Sequence, residues 1–237
     1  MKIKKLLFAL LFASQALGKG GIFVGYDMEF GILNIDHRQT LTNLFGTATL
    51  PLSTHNERGI HPSVGYGMGY EYYFEDKPSM GVRISARINA GYANMQLTTI
   101  DNSTRPEIYD LVFEFFTLKG GVGAEFIWDF WRAGDFALGL SSGLALDFGY
   151  FGSTATTINN QYGIDRPSFT IIGFTPMVGL YMDFLPFYIS LSYRLFSIPL
   201  LSTYDFKPIL RTDEMAYYVE NRLNFSSYFA LQLGYKF

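Results

Sequence analysis

The chain has no cysteine, few charges and no apolar run long enough for a spanning helix, and each lack narrows what it can be. Without cysteine there are no disulfides, so an exported chain of this kind needs another source of stability. Charged residues are 16% of the total, against about 25% in soluble domains. The formal net charge of −3 is too small to build a nucleic-acid surface, and no lysine or arginine cluster follows the first five residues. Beyond the N-terminal segment there is no uninterrupted apolar stretch of the ~20 residues that a membrane helix requires. A chain that crosses a bilayer without such helices must do so as a closed barrel, because lipid cannot satisfy an open sheet edge.

What is abundant fits that alternative. Aromatics reach 18%, with 17 Tyr and 23 Phe, beside 24 Gly. The first residues, Met1-Lys2-Ile3-Lys4-Lys5, are basic. The apolar run Leu6 to Ala13 follows, and then the small residues of Ala16-Leu17-Gly18. This is the layout of a cleaved signal peptide, assigned to residues 1–18, which leaves 19–237 as a single domain.

The domain is patterned with period two. From Met80 to Asn94, residues Met80, Val82, Ile84, Ala86, Ile88, Ala90 and Tyr92 share one face, and Gly81, Arg83, Ser85, Arg87, Asn89, Gly91 and Ala93 the other. Similar alternation begins at Ile22, Val64, Leu118, Phe136, Ile172, Phe187 and Phe229, which makes eight strands. Each suits the ~9–11 residues of a membrane-embedded strand. Three connections are short: Glu75 to Ser79, Asp129 to Asp135, and Leu185-Pro186. Four are long, at about 34–61, 96–111, 150–170 and 198–226, and read as solvated loops. The expected fold is all-β, an eight-stranded antiparallel transmembrane β-barrel with short periplasmic turns and long extracellular loops.

The two faces then acquire different tasks. Outward aromatics should form girdles, with Phe74, Trp128, Phe136, Phe184, Phe187 and Phe237 on the periplasmic side. Tyr66, Tyr92, Phe148, Phe174 and Phe229 should sit toward the outer side. Parity sends Asp27, Glu29, Glu71, Glu125, Asp147 and Asp183 into the lumen with Arg83, Arg87, Lys119, Arg194 and Lys236. An eight-stranded barrel is just wide enough to be filled by side chains. Buried charges in that space must pair, so an internal ionic network is expected, with Glu71, Arg83 and Glu125 as one layer. A narrow conducting path through the lumen is the competing reading.

Signs of chemistry are sparse. His61-Pro62-Ser63 has the His-x-Ser spacing carried by lipid A deacylases, but it stands at the start of a strand. Glu71 is too deep to orient the imidazole, so His61 is expected to be a solvated residue at a loop base. Asp36-His37 makes a poor metal site on a loop. His55 lies in the same loop, and Asn102-Ser103-Thr104 is a sequon without weight. The Gly65 to Gly69 and Lys119 to Gly121 glycines precede no helix and are not phosphate loops. No catalytic residue, metal or cofactor is expected.

Several short motifs carry a family likeness. They are Gly65-Tyr66, Tyr72-Tyr73-Phe74, Gly81-Val82-Arg83, Gly91-Tyr92-Ala93-Asn94, Gly121-Val122-Gly123, Ser197-Ile198-Pro199-Leu200-Leu201 and Leu233-Gly234-Tyr235-Lys236-Phe237. Together they resemble the C-terminal barrel region of the Helicobacter outer-membrane protein family. The likeness covers most of residues 61–237, and the long extracellular insertion of that family's large adhesins has no counterpart here. The ending also resembles the signal read by the barrel-assembly machinery, carried by Leu233, Tyr235 and Phe237. The barrel pattern implies a cell outer-membrane location, and a periplasmic N-terminus would put all four long loops on the cell exterior. The expected function is a membrane anchor presenting surface loops, with an adhesion or envelope-integrity role. A small porin and, less favoured, a lipid A-modifying enzyme are the rivals. The expected partners are outer-membrane lipid, lipopolysaccharide and the assembly machinery, with no nucleic acid and a monomeric state.

Overall fold

The structure, a computed structural model, describes the backbone of residues 20–43, 49–101, 107–158, 161–162, 168–195, 198–202, 205–211 and 215–237. Side chains are described for residues 20–33, 58–94, 112, 114–154, 168–195, 198, 200 and 227–237. The expected leader, residues 1–18, and the Asn102-Ser103-Thr104 sequon lie outside the described residues. So do the side chains of Asp36, His37 and His55.

The strands are β1 (Gly20–Asn43), β2 (Thr49–Phe74), β3 (Lys77–Asp101), β4 (Glu107–Ala133), β5 (Phe136–Ile158) and β6 (Gln161–Tyr162). They continue as β7 (Ser168–Phe184), β8 (Phe187–Arg194), β9 (Ile198–Ser202), β10 (Asp205–Arg211) and β11 (Met215–Lys236). Eight of them close a ring in the order β1, β2, β3, β4, β5, β7, β8, β11, every neighbour antiparallel. The short β6, β9 and β10 attach to β5, β7 and β11. Because β1 pairs with both β2 and β11, the wall of the ring has no free edge at the level of residues 23–31.

The alternation seen in the sequence becomes two faces of this wall. Val64 and Ile84 are 57% and 61% exposed, and Val122 and Leu180 are 55% and 54% exposed, all pointing away from the barrel axis. A belt of open aliphatic side chains around a whole molecule is untenable in water and fits lipid. Turns at Glu75-Asp76, Gly134-Asp135 and Leu185-Pro186 define one end of the barrel, the turn end. Gly134 has φ of 59°, a left-handed conformation that a residue with a Cβ adopts only under strain.

Two expectations about the connections need correction. The segments read as long loops are largely strand: β1 pairs β2 as far as Thr42↔Thr49, and β3 pairs β4 as far as Asp101↔Glu107. Backbone ladders continue beyond the lipid belt without an apolar face, because hydrogen bonding between two strands does not depend on lipid contact. The connection expected from Asp129 to Asp135 is also shorter, since β4 runs on to Ala133. A bulge between Asp129 and Trp131 shifts the register there, so that the consecutive Phe130 and Trp131 both face outward.

Candidate functional site: the barrel lumen

The inward residues form a column of layers. Nearest the turn end, Tyr73, Ile127 and Tyr181 pack as a buried cluster. The hydroxyls of Tyr73 and Tyr181 both donate to Asp129 Oδ1, the former at 3.3 Å. Arg132 pairs with Asp129 and lies 5.0 Å from the centre of the Tyr73 ring. Cation, carboxylate and phenols thus cap the end of the lumen. Asp129 belongs to this column rather than to a turn, and the bulge beside it is what ends the inward parity.

The next layer is ionic. Glu71, Arg83 and Glu125 are direct neighbours on β2, β3 and β4. The Arg83 guanidinium lies 2.6 Å from Glu71 and 4.0 Å from Glu125. Lys236, on the closing strand, reaches Glu71 at 2.6 Å and Asp183 at 2.5 Å. Rings pack around these charges: Arg83 stands 4.8 Å from the Tyr181 ring and 5.6 Å from Phe23, which meets Tyr188 edge-on at 5.1 Å. Aromatic faces around a guanidinium replace part of the hydration it has lost.

A second ionic layer lies farther from the turns. Glu29 is its centre, with Arg87 at 3.2 Å, Arg194 at 2.9 Å and Lys119 also paired to it. Arg87 also pairs with Asp147, and Tyr228 donates to Asp147 at 2.8 Å. Asp27 accepts from Asn89 at 3.4 Å and is 4.0 Å from Arg194. All eleven charged residues that parity sends into the lumen are therefore there, gathered in two layers by contacts that involve all eight strands of the ring. A closed cavity of about 20 Å³ between them is lined by Asp27, Arg87, Glu125, Ser190, Ser192 and Arg194 among others.

Beyond the second layer stand Ser63 and His61. Ser63 donates to Glu29 at 3.2 Å, and His61 Nε2 is 2.8 Å from Thr117 Oγ1. His61 is 2% exposed, with its ring 5.8 Å from that of Phe151. The expectation of a solvated loop-base histidine is thus overturned. The second strand begins earlier than its apolar pattern suggests, and parity carries His61 inward with Ser63, Gly65 and Gly67. Above it, Leu33, Ala93, Phe115, Phe151, Phe169 and Ile171 form a second apolar cluster across the lumen.

The inward aromatics Phe23, Tyr73, Tyr181, Tyr188 and Tyr228 are the part of the column that composition reasoning misses. Their signal is parity: Tyr73 is two residues from Glu71, and Tyr181 two from Asp183. Among the described residues no group of three or more His, Asp or Glu is arranged to hold a metal ion.

Residues 65–235 match the family described as Helicobacter outer membrane protein, a span of well over half the chain. The chain belongs to that family. It is an outer-membrane β-barrel protein, and the matched span takes in every charged lumenal residue except Asp27, Glu29 and Lys236. No curated protein matches it. Among solved structures it is similar to Ail, the attachment invasion locus protein of Yersinia pestis, at 16% identity and a TM-score of 0.32. That alignment covers 92% of this chain and 97% of Ail. Neisserial surface protein A is similar at 13% identity and a TM-score of 0.31, with 92% of this chain and 97% of that one covered. For this Helicobacter outer membrane protein family member, the barrel itself is read from its own strand pairing.

Proposed function

We propose that this protein is a sealed, non-catalytic anchor. Its barrel holds the extended hairpins beyond the lipid belt at the cell surface, where they make adhesive or envelope-stabilising contacts. The turn end faces the periplasm in this reading, and the barrel sits as a monomer among outer-membrane lipid and lipopolysaccharide. One observation carries it: apolar clusters at both ends of the lumen enclose two layers of paired charge. Paired, desolvated ions are a poor lining for a water path and a good internal brace.

The test is planar-bilayer conductance of the refolded barrel. Silence from a preparation that shows heat-modifiable migration is the expected result. Reproducible current steps that change on Arg87→Gln would overturn the sealed-anchor reading in favour of a small porin. A lipid A-modifying role is disfavoured because Ser63 and His61 point into the lumen, away from acyl chains, and the Ser63 hydroxyl is donated to Glu29. Lipid A composition is therefore expected to be the same in cells carrying Ser63→Ala.

The outward residues Leu233, Tyr235 and Phe237 are proposed as the segment read by the assembly machinery. Tyr235 and Phe237 meet edge-on, ring centres 5.0 Å apart, on the outer wall at the turn end. Phe237→Ala should lower the amount of folded barrel recovered from membranes while leaving in vitro refolding in detergent unchanged. Equal loss in both settings would assign that ring to stability instead.

A further inference from the structure

On the outer wall, cross-strand partners line up in rows that run across the strands, and each row is a ridge. One ridge leads from Trp128 on β4 through Leu140, Leu191, Met28 and Val64 to Ala90, and returns to β4 at Leu118. Leu118 is ten residues farther from the turn end than Trp128. The ridge therefore climbs the wall as it circles, as the strand tilt of a closed barrel requires. The ridge above it leads from Phe126 through Tyr193, Phe229 and Phe30 to Pro62.

Between the two ridges runs an apolar furrow in two stretches. One, of about 570 Å³, extends from Trp128 on β4 to Phe229 on β11. The other, of about 490 Å³, extends from Leu191 on β8 to Ala90 on β3. They meet at Leu191 and Phe229, and Gly179 and Gly91 leave bare backbone in their floors. A third trough, of about 420 Å³, lies above the Phe30–Phe229 ridge, between Ile32 and Ser227. Phe229 thus borders all three. The stretch from β8 to β3 crosses four strand spacings, about 19 Å at ~4.8 Å each. One leaflet of the hydrocarbon core is ~15 Å deep, half of ~30 Å, so a slanted trough of this length matches an acyl chain.

The high end of the furrow carries a cation. On β2 the outward positions after Pro62, away from the turns, are Ile60 and Arg58. Arg58 lies opposite Asn34, which is two residues beyond Ile32 on β1. Arg58 is exposed and, among the described residues, pairs with no carboxylate. Glu114, in the same row as Ile60, stands two strands away on β4. A guanidinium above apolar troughs complements a phosphate above acyl chains. Three troughs around one ring exceed what a two-chain phospholipid fills, whereas a phosphorylated lipid with more chains fills them under one head group.

We infer that this face of the wall is a binding site for one lipopolysaccharide molecule, its acyl chains in the troughs beside Phe229 and a lipid A phosphate on Arg58. The inference rests on the orientation proposed above, in which the end opposite the turns faces the cell exterior.

The experiment is native mass spectrometry of the full chain refolded in detergent, titrated with purified bisphosphorylated lipid A and, separately, with phosphatidylglycerol. Lipid A should give a single saturable adduct, and phosphatidylglycerol only weak attachment that does not saturate. Arg58→Gln should weaken lipid A binding roughly fivefold, the effect of one basic group beside anionic lipid. Ala90→Phe fills the high end of the furrow and should weaken it at least as much. Val122→Phe, outward on β4 and outside the three troughs, should leave it unchanged. Each variant is read on barrels that show heat-modifiable migration, and the wild-type adduct needs no variant to fold. Attachment of lipid A without saturation, equal binding of phosphatidylglycerol, or undiminished binding in both Arg58→Gln and Ala90→Phe would overturn the inference. A conducting barrel that still binds lipid A would remove the sealed-anchor reading alone, and a silent barrel without a saturable adduct would remove this site alone.

Discussion

Arg83 has the largest fully buried side chain in the lumen and touches residues from four other strands. Arg83→Ala would strand Glu71 and Glu125 without their shared cation, and the expected cost is about 3–5 kcal/mol. Denaturant unfolding in detergent micelles measures it, and an unchanged midpoint would remove the ionic layer as a source of stability. Gly139 is a quieter requirement. A Cβ there would stand 2.1 Å from the Tyr181 ring. Gly139→Val is therefore expected to push the Tyr181 hydroxyl off Asp129 and to lower the thermal transition, readable by the loss of near-ultraviolet tyrosine signal. The charged lumenal residues were legible in the sequence because a charge on the wrong face of a lipid-bound strand is intolerable. The lumenal tyrosines were less so, since a tyrosine suits a membrane interface as well as a packed interior.

The strands were legible over the stretch where one face meets lipid and the other meets the lumen. Those are the segments with clean alternation, such as Met80 to Asn94. Past those stretches the alternation fades in the sequence although backbone pairing continues, and β1 and β2 run on beyond their apolar residues. Ten residues of β1, 34–43, lie past Leu33, a reach of roughly 30 Å at the rise of an extended strand. Excision of Gln39 to Ser53, with Arg38 and Thr54 rejoined through an Asn-Gly turn, is expected to leave the folded fraction and heat-modifiable migration unchanged. Collapse of the barrel would mean that the extension braces the wall. The Asp129/Trp131 bulge had no legible sign, because two adjacent aromatics before a turn fit either face.

At the scale of the molecule, the interior is held by contacts between strands far apart in sequence, as in the pairs Lys236–Glu71 and Arg194–Glu29. Stability of this kind belongs to the closed ring and is not divisible among its hairpins. The ladder between β1 and β11 runs from Phe23↔Lys236 to Asn43↔Met215, joining the earliest strand to the latest. Until β11 is in place, β1 therefore has its backbone unmatched on one side. Such a ring cannot be completed piecemeal, and the same pairing that removes its last open edge also brings Lys236 to its two carboxylates.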